Sequence, residues 1–329
     1  MKKRELGRQG LRTSAIGLGC MGMSFAYGAP DQAECARTLH RAIELGIDFL
    51  DTAEIYGPWT NEELLGRELQ GKRDQVLIAT KFAFKISPTG ERLGLDSSPE
   101  NVRRAVEGSL KRLRTDRIDL LYQHRLDPKT PIEDTVGAMA ELVKQGKVRF
   151  LGLSEVGAAT IRKAHAVHPI SAIQSEYSLW ETTVEERVLP VLRELGIGFV
   201  PYSPVGRGFL TGQIKSVEDF AADDFRRHQP RFSGDNFAWN LRLVSDVQKI
   251  AAAHGATPAQ VALAWLLRRG EDMVSIPGTT KVKHLEENVR AVELDLPESA
   301  WTGVDAVLKK FRVAGLRYPA EMMKLVEAD

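Results

Sequence analysis

Cysteine is nearly absent: the 329 residues include two, Cys20 and Cys35. A chain of this size with so few thiols is not built on a disulfide framework. No run of about 18 apolar residues occurs, so nothing reads as a membrane-spanning helix. The opening Met1-Lys2-Lys3-Arg4 is basic like a signal peptide, but Glu5 to Gly10 stand where an apolar stretch would be required. An excess of either charge is also missing. The 45 basic and 44 acidic residues leave +1, which speaks against a nucleic-acid backbone or a cationic macromolecule as partner. His165 and His168 have no carboxylate or cysteine at ligand spacing, so no metal site is expected. These absences leave a cytoplasmic globular protein, a monomer or a simple homo-oligomer. Its 43% hydrophobic content is ample for a core.

Short apolar strands alternate with amphipathic helices along the whole chain. A small hairpin comes first: Arg4 to Leu6, a turn at Gly7 to Gly10, then Leu11 to Thr13. Strands are predicted at 16–18, 49–51, 76–80, 118–122, 150–154, 172–174, 198–202 and 273–276. Helices are expected to start near Asp31, Asn61, Pro99, Ile132, Ala158 and Val184, then at 239–254, 258–269, near Val282 and near Glu298. Asn61 reads as an N-cap with Glu62 and Glu63 in the first turn, and Ser98-Pro99 as a cap followed by proline. Strands that are apolar on both faces and separated by helices indicate parallel βαβ units. About eight of them fit a closed (β/α)₈ TIM barrel with an N-terminal β-hairpin and a C-terminal helix. With no linker or repeat, residues 1–329 read as one barrel domain. The longest irregular stretch, Ser203 to Asn236, follows the seventh strand and would lie over the catalytic face.

Gly17-Leu18-Gly19-Cys20-Met21-Gly22 fits G-x-G-x-x-G after a strand. A dinucleotide-binding Rossmann unit would open its helix inside this motif, whereas here the helix start is expected at Asp31. The glycines are therefore read as a tight bend at the top of the first strand.

Strand ends carry the chemistry of a barrel. The second strand ends at Asp51, with Tyr56 shortly after it; the third ends at Lys81 and the fourth runs into His124. Singly, each has an ordinary reading: a turn-capping aspartate, a rim tyrosine, a satisfied core histidine. A lysine emerging from Val-Leu-Ile-Ala-Thr is the odd one, because a buried ammonium needs a partner. Together they make a proton-donating site. Hydride delivery to a carbonyl leaves an alkoxide; the ammonium of Lys81 beside Tyr56 is expected to lower the phenol's pKa toward working pH, so that it can supply the proton. Asp51 would balance Lys81, and a neutral His124 would orient the carbonyl oxygen. Met21, Met23, Trp59, Phe82 and Phe84 are candidates for an apolar pocket, with ordinary packing as the alternative. The run Asp223 to Arg227 reads as a solvated face that could also close over a ligand.

Asp51-Thr52-Ala53-Glu54-Ile55-Tyr56-Gly57 resembles the aldo-keto reductase signature, and Asp51, Tyr56, Lys81 and His124 match that family's tetrad. The resemblance implies NADPH/NADP+ as cofactor and a small carbonyl compound as substrate. It implies cofactor contacts at Ser154, Gln174 and Tyr202. It also implies contacts at Ser203, Pro204, Gly206, Gly208 and Leu210 after the seventh strand, and at Gly278, Thr280, Lys281, His284, Glu287 and Asn288 near the adenosine phosphate. Two positions depart from the family pattern: Glu155 stands where many members carry asparagine, and His284 where many carry arginine. Gln123-His124-Arg125 is closer to the branch resembling perakine reductase and potassium-channel β subunits than to aldose reductase. A slow, cofactor-sensing binding subunit and a metal-dependent barrel hydrolase are the competing functions.

Overall fold

The computed structural model describes residues 1–327. β1 (Lys3–Leu6) and β2 (Leu11–Ser14) form an antiparallel hairpin. β3 (Leu18–Gly19), β4 (Phe49–Asp51) and β5 (Leu77–Phe82) follow, then a second antiparallel hairpin of β6 (Phe84–Ile86) and β7 (Arg92–Leu95). β8 (Ile118–Gln123), β9 (Val148–Ser154), β10 (Ala172–Glu176) and β11 (Gly198–Tyr202) complete the strands. Seven of them pair in parallel in the order β3-β4-β5-β8-β9-β10-β11. Neighbours in this sheet follow chain order, with helices between them, as in a (β/α) barrel.

The expected eighth strand is reduced to bridges. Residues 273–278 touch β11 through Phe199–Met273, and the first strand through Ile16–Ser275 and Gly19–Gly278. Gly17 N donates to Ser275 O (2.8 Å) and Gly19 N to Pro277 O (3.2 Å). Pro277 has no N–H to return, so the ladder stays discontinuous. The glycines that mimic a dinucleotide fingerprint act here. A Cβ on Gly19 would stand 2.8 Å from Ile276 O, and one on Gly17 2.9 Å from Phe49 O. The motif runs into a short 3₁₀ turn at Met21–Met23, and the next α-helix is Gln32–Glu44, capped by Asp31, so the motif does not open an α-helix.

Inside the ring Phe49, Ala79, Leu120, Tyr122, Ala172, Val200 and Val274 form an apolar layer, and Leu6 and Leu11 of the first hairpin pack into the same cluster. Gly152 leaves room for the Tyr122 ring, whose Cε1 would lie 2.4 Å from a Cβ there.

Local reading misplaced several helix starts. Thr60–Glu68 is capped at Trp59, and Asn61 lies buried inside the first turn. The sixth inter-strand helix begins at Val188, after a 3₁₀ turn at Thr183–Glu185. Gly234–Ala253 starts before Trp239, and 3₁₀ turns break up the stretch before it. Ser98 does accept from Asn101 N with Pro99 at the first helical position. No single helix among the described residues is long and apolar enough to cross a membrane.

Gly19→Ala is expected to lower stability by about 1–3 kcal/mol in urea unfolding, because backbone must move to admit the methyl group. Gly22→Ala meets only the edge of the Tyr27 ring, at 3.2 Å, and should cost about 1 kcal/mol or less. Equal costs would remove barrel closure as the role of Gly19.

Candidate active site

Side chains alternate along a strand, so the residue two positions above an inward apolar residue also faces inward. Phe49 leads to Asp51, Ala79 to Lys81, Tyr122 to His124, Gly152 to Ser154, Ala172 to Gln174 and Val200 to Tyr202. The apolar layer thus carries a polar one at the C-terminal mouth.

Lys81 has no exposed surface, and its ammonium is shared by three oxygens: Asp51 Oδ1 (2.5 Å), Thr52 O (2.8 Å) and Tyr56 OH (3.3 Å). Gln174 Nε2 donates to Asp51 Oδ2 (2.7 Å), which occupies the carboxylate's second oxygen. The rings of Tyr56 and His124 meet edge-on with centroids 5.9 Å apart, and Phe84 lies 5.3 Å from His124 in the same manner. Asn61 braces the Tyr56 loop: its side chain accepts from Thr52 Oγ1 (2.7 Å) and donates to Cys20 O (2.8 Å) and Ser24 Oγ (2.9 Å). A cap-like residue before a helix gave no sign of this inward role.

The electrostatics correct one expectation. Burial holds the Tyr56 phenol above its ordinary value, with the Lys81 charge the largest opposing influence and Asp51 adding to the rise. The phenol therefore keeps its proton at neutral pH, and the charge of Lys81 favours the phenolate left when that proton moves. Burial alone would lower the Lys81 ammonium, but Asp51 and Tyr56 raise it overall. Burial first, then the charges of Arg125, Lys81 and Arg92, push His124 well below the usual imidazole range, so the ring is neutral. Its Nδ1 is buried without a partner among the described residues.

The remaining predicted residues are found in different states. Ser154 Oγ accepts from Arg125 Nη1 (3.1 Å). Tyr202 is half-buried and its hydroxyl meets that of Tyr318 (2.9 Å). Ser203 (φ 50°) and Arg207 (φ 57°) are left-handed, as are Gly206 and Gly208. Pro204 and Leu210 are buried, and Leu210 belongs to the core, which leaves only its backbone for a ligand. Gly278, Lys281 and His284 are exposed, Thr280 and Glu287 half-buried, and Asn288 buried. The helix Val282–Arg290 starts there without a side-chain cap. Glu34, absent from the sequence reading because it comes from the first long helix, accepts from Val282 N (3.4 Å). Among the pocket candidates Phe84 faces His124, while Met23 and Phe82 are core residues.

Glu155 is left-handed (φ 54°), a conformation that asparagine tolerates better than glutamate. Its carboxylate turns to the C-terminal segment: Arg317 Nη1 and Nη2 each donate to it at 3.1 Å, and its carbonyl accepts from Glu327 N (3.1 Å). The run 223–227 is not a solvated face. Asp224 is buried, and Arg226 binds it while lying 4.8 Å from the centroid of Tyr27 and 4.5 Å from that of Phe220.

Residues 15–309 match the aldo/keto reductase family. The chain belongs to that family. It is 45% identical to a probable aldo-keto reductase 1 of Glycine max over 316 residues, 95% of this chain and 91% of that one. Among solved structures it is similar to a glycerol dehydrogenase from Gluconobacter oxydans, with TM-score 0.84 and 29% identity over 96% of this chain and 97% of that chain. It is also similar to an aldo-keto reductase from Bacillus halodurans in its holo form, with TM-score 0.80 and 27% identity over 95% and 98%. The barrel is thus that of the aldo/keto reductases, an NADP(H)-dependent family of oxidoreductases acting on small carbonyl compounds.

One buried acid of this aldo/keto reductase stands apart from the site's pairs. Burial, reinforced by Glu62, pushes the Glu54 carboxyl up to about 8, and its Oε1 has no partner among the described residues. Stability linked to this group is fully present below its ordinary value of 4.5 and is lost as pH rises through about 8. Glu54→Gln should therefore flatten the fall in Tm between about pH 5 and pH 9, by roughly 1.5–3 °C, as expected for about 1–2 kcal/mol in a chain of this length. Parallel Tm profiles would show that Glu54 is ionised in the folded protein.

Proposed function

We propose that this chain reduces aldehydes or ketones to alcohols with NADPH, as one cytoplasmic barrel domain comprising residues 1–329. The observation that carries the reading is the Lys81 ammonium, bonded at once to Asp51 and to the Tyr56 hydroxyl. Tyr56 donates its proton to the carbonyl oxygen, and Lys81 stabilises the phenolate that remains. Asp51 keeps the ammonium charged and in place. Neutral His124 donates a hydrogen bond to the same oxygen and fixes its position.

The donor set suits a dinucleotide. Ser154, Gln174 and Tyr202 would hold the nicotinamide end. Ser203, Pro204, Gly206, Gly208 and Leu210 would follow the diphosphate with their backbone. Gly278, Thr280, Lys281, His284, Glu287 and Asn288 would take the adenosine and its 2′-phosphate. When bound there, the reduced nicotinamide supplies the hydride. The carboxylate of Glu34 on Val282 N supports the phosphate placement, because it puts an anionic oxygen on a first-turn amide. Lys281 and Lys283 are exposed and free of ion pairs among the described residues.

Tyr56→Phe should lower kcat by about 10²–10⁴-fold with 4-nitrobenzaldehyde while NADPH still binds. Near-normal turnover would move the donor role elsewhere, and slow turnover in the unaltered protein would favour the sensing subunit.

NADPH should bind at least about tenfold tighter than NADH at low salt, with the gap narrowing as salt rises. Titration of cofactor fluorescence should show Lys281→Ala weakening NADPH alone. Glu34→Gln should widen the preference by removing a charge that competes with the 2′-phosphate. Equal affinity for the two cofactors in the unaltered protein would overturn the assignment.

A further inference from the structure

Charge around the mouth does not balance. Lys81 is matched by Asp51, and Arg317 by Glu155. Arg207 and Arg231 each hold a carboxylate as well. Arg125 and Arg92 do not: among the described residues neither has an ion pair.

Both are next to the reacting groups. Arg125 follows His124 directly, and its Nη1 donates to His124 O (2.6 Å) and Ser154 Oγ (3.1 Å), which fixes the guanidinium at the mouth. Arg92 comes from the β6–β7 hairpin and lies 4.9 Å from the centroid of Phe84, the ring that stands against His124. Phe84 belongs to an apolar cluster that includes Ile55, Ile86, Leu95 and Leu325, so Arg92 lies against one side of it. Two unmatched cations beside an apolar wall suit a ligand that is apolar in the middle and negative at one end.

We propose that Arg125 and Arg92 form an anion subsite, so that the preferred substrates are aldehydes or ketones carrying a carboxylate. This deepens the reductase reading and rests on it for the carbonyl. The nearby acids cannot serve instead. Glu155 is committed to Arg317, and burial keeps the Glu54 carboxyl protonated at neutral pH. Arg125 leaves its second terminal nitrogen for such a ligand, since Nη1 makes both of its bonds.

The test pairs 4-carboxybenzaldehyde with 4-carbamoylbenzaldehyde, which differ in charge at nearly equal size. With NADPH at low salt, kcat/KM should favour the carboxylate by about tenfold or more, and salt should shrink the ratio. Arg92→Gln should cut the ratio several-fold, and Arg92→Lys should keep most of it. Calorimetric titration of the NADP+-loaded protein with terephthalate and terephthalamide, which are not reduced, reads the subsite without turnover. Selective binding of terephthalate with neither aldehyde reduced would uphold the subsite and sink the reductase reading. Equal affinities for the two ligands, or a selectivity that Arg92→Gln leaves intact, would overturn the subsite whatever the turnover.

Discussion

An ammonium sealed from water governs the architecture of the barrel mouth. A lysine charge in a medium of low dielectric costs several kcal/mol unless it is paired and its protons are bonded. Lys81 meets both conditions, with Asp51, Thr52 O and Tyr56 OH taking its donors. The consequences run outward. Asp51 must sit at the end of β4, one rung above Phe49, and its free oxygen needs a donor, which Gln174 brings from β10. Thr52 must turn its carbonyl inward, and Asn61 anchors the Thr52 hydroxyl to hold that turn. The tyrosine hydroxyl is placed by what the charge still lacks. Three strands and a loop are therefore located by the requirements of one side chain, and the chemistry proposed for Tyr56 is a by-product of satisfying them.

The same reasoning shows why some of this was legible in the sequence and some was not. Asp51, Lys81 and His124 could be placed because strand parity is local: a polar residue two positions above an apolar one points the same way. The parallel order and the hairpin under the barrel were legible on similar grounds. The β6–β7 hairpin was not, although Pro88-Thr89-Gly90 is a turn signal, because it interrupts the alternation that identified the barrel. Asn61 was misread since a side chain that could cap a helix and one that reaches three oxygens across the fold look alike in a window of ten residues. Glu34 and Glu155 were beyond local reading altogether, as their partners Val282 and Arg317 lie far along the chain. Composition gave the charged run at 223–227 a solvated surface, whereas Tyr27 and Phe220 cover it with rings that local reading could not supply.

Charge pairing at long range also explains how the upper loops tolerate unfavourable backbone. Glu155, Ser203 and Arg207 are left-handed without being glycine, a condition that costs about 1–2 kcal/mol for each residue. Two of the three are held by ions. Arg207 Nη2 meets Glu176 Oε2 (3.2 Å), and its other terminal nitrogen reaches Arg317 O (3.0 Å). Arg231 joins Glu176 to Glu181, and Arg317 closes the group on Glu155. Three carboxylates and three guanidiniums thus share one buried lattice that joins β9, β10, the stretch after β11 and the C-terminal segment. An isolated pair in such a place would add little net stability, but a lattice in which each ion has several partners strongly penalises the loss of any one of them. The lattice therefore acts on geometry more than on stability. It keeps the turn proposed to follow the diphosphate in fixed relation to the segment bearing Tyr318, whose hydroxyl meets that of Tyr202, and Leu325, which packs on the cluster of Ile55 and Phe84. Because every arginine in it is matched, it adds no net charge to the pocket. Arg125 and Arg92, which have no ion pair among the described residues, stand outside this lattice and are the cations on which the proposed anion subsite rests.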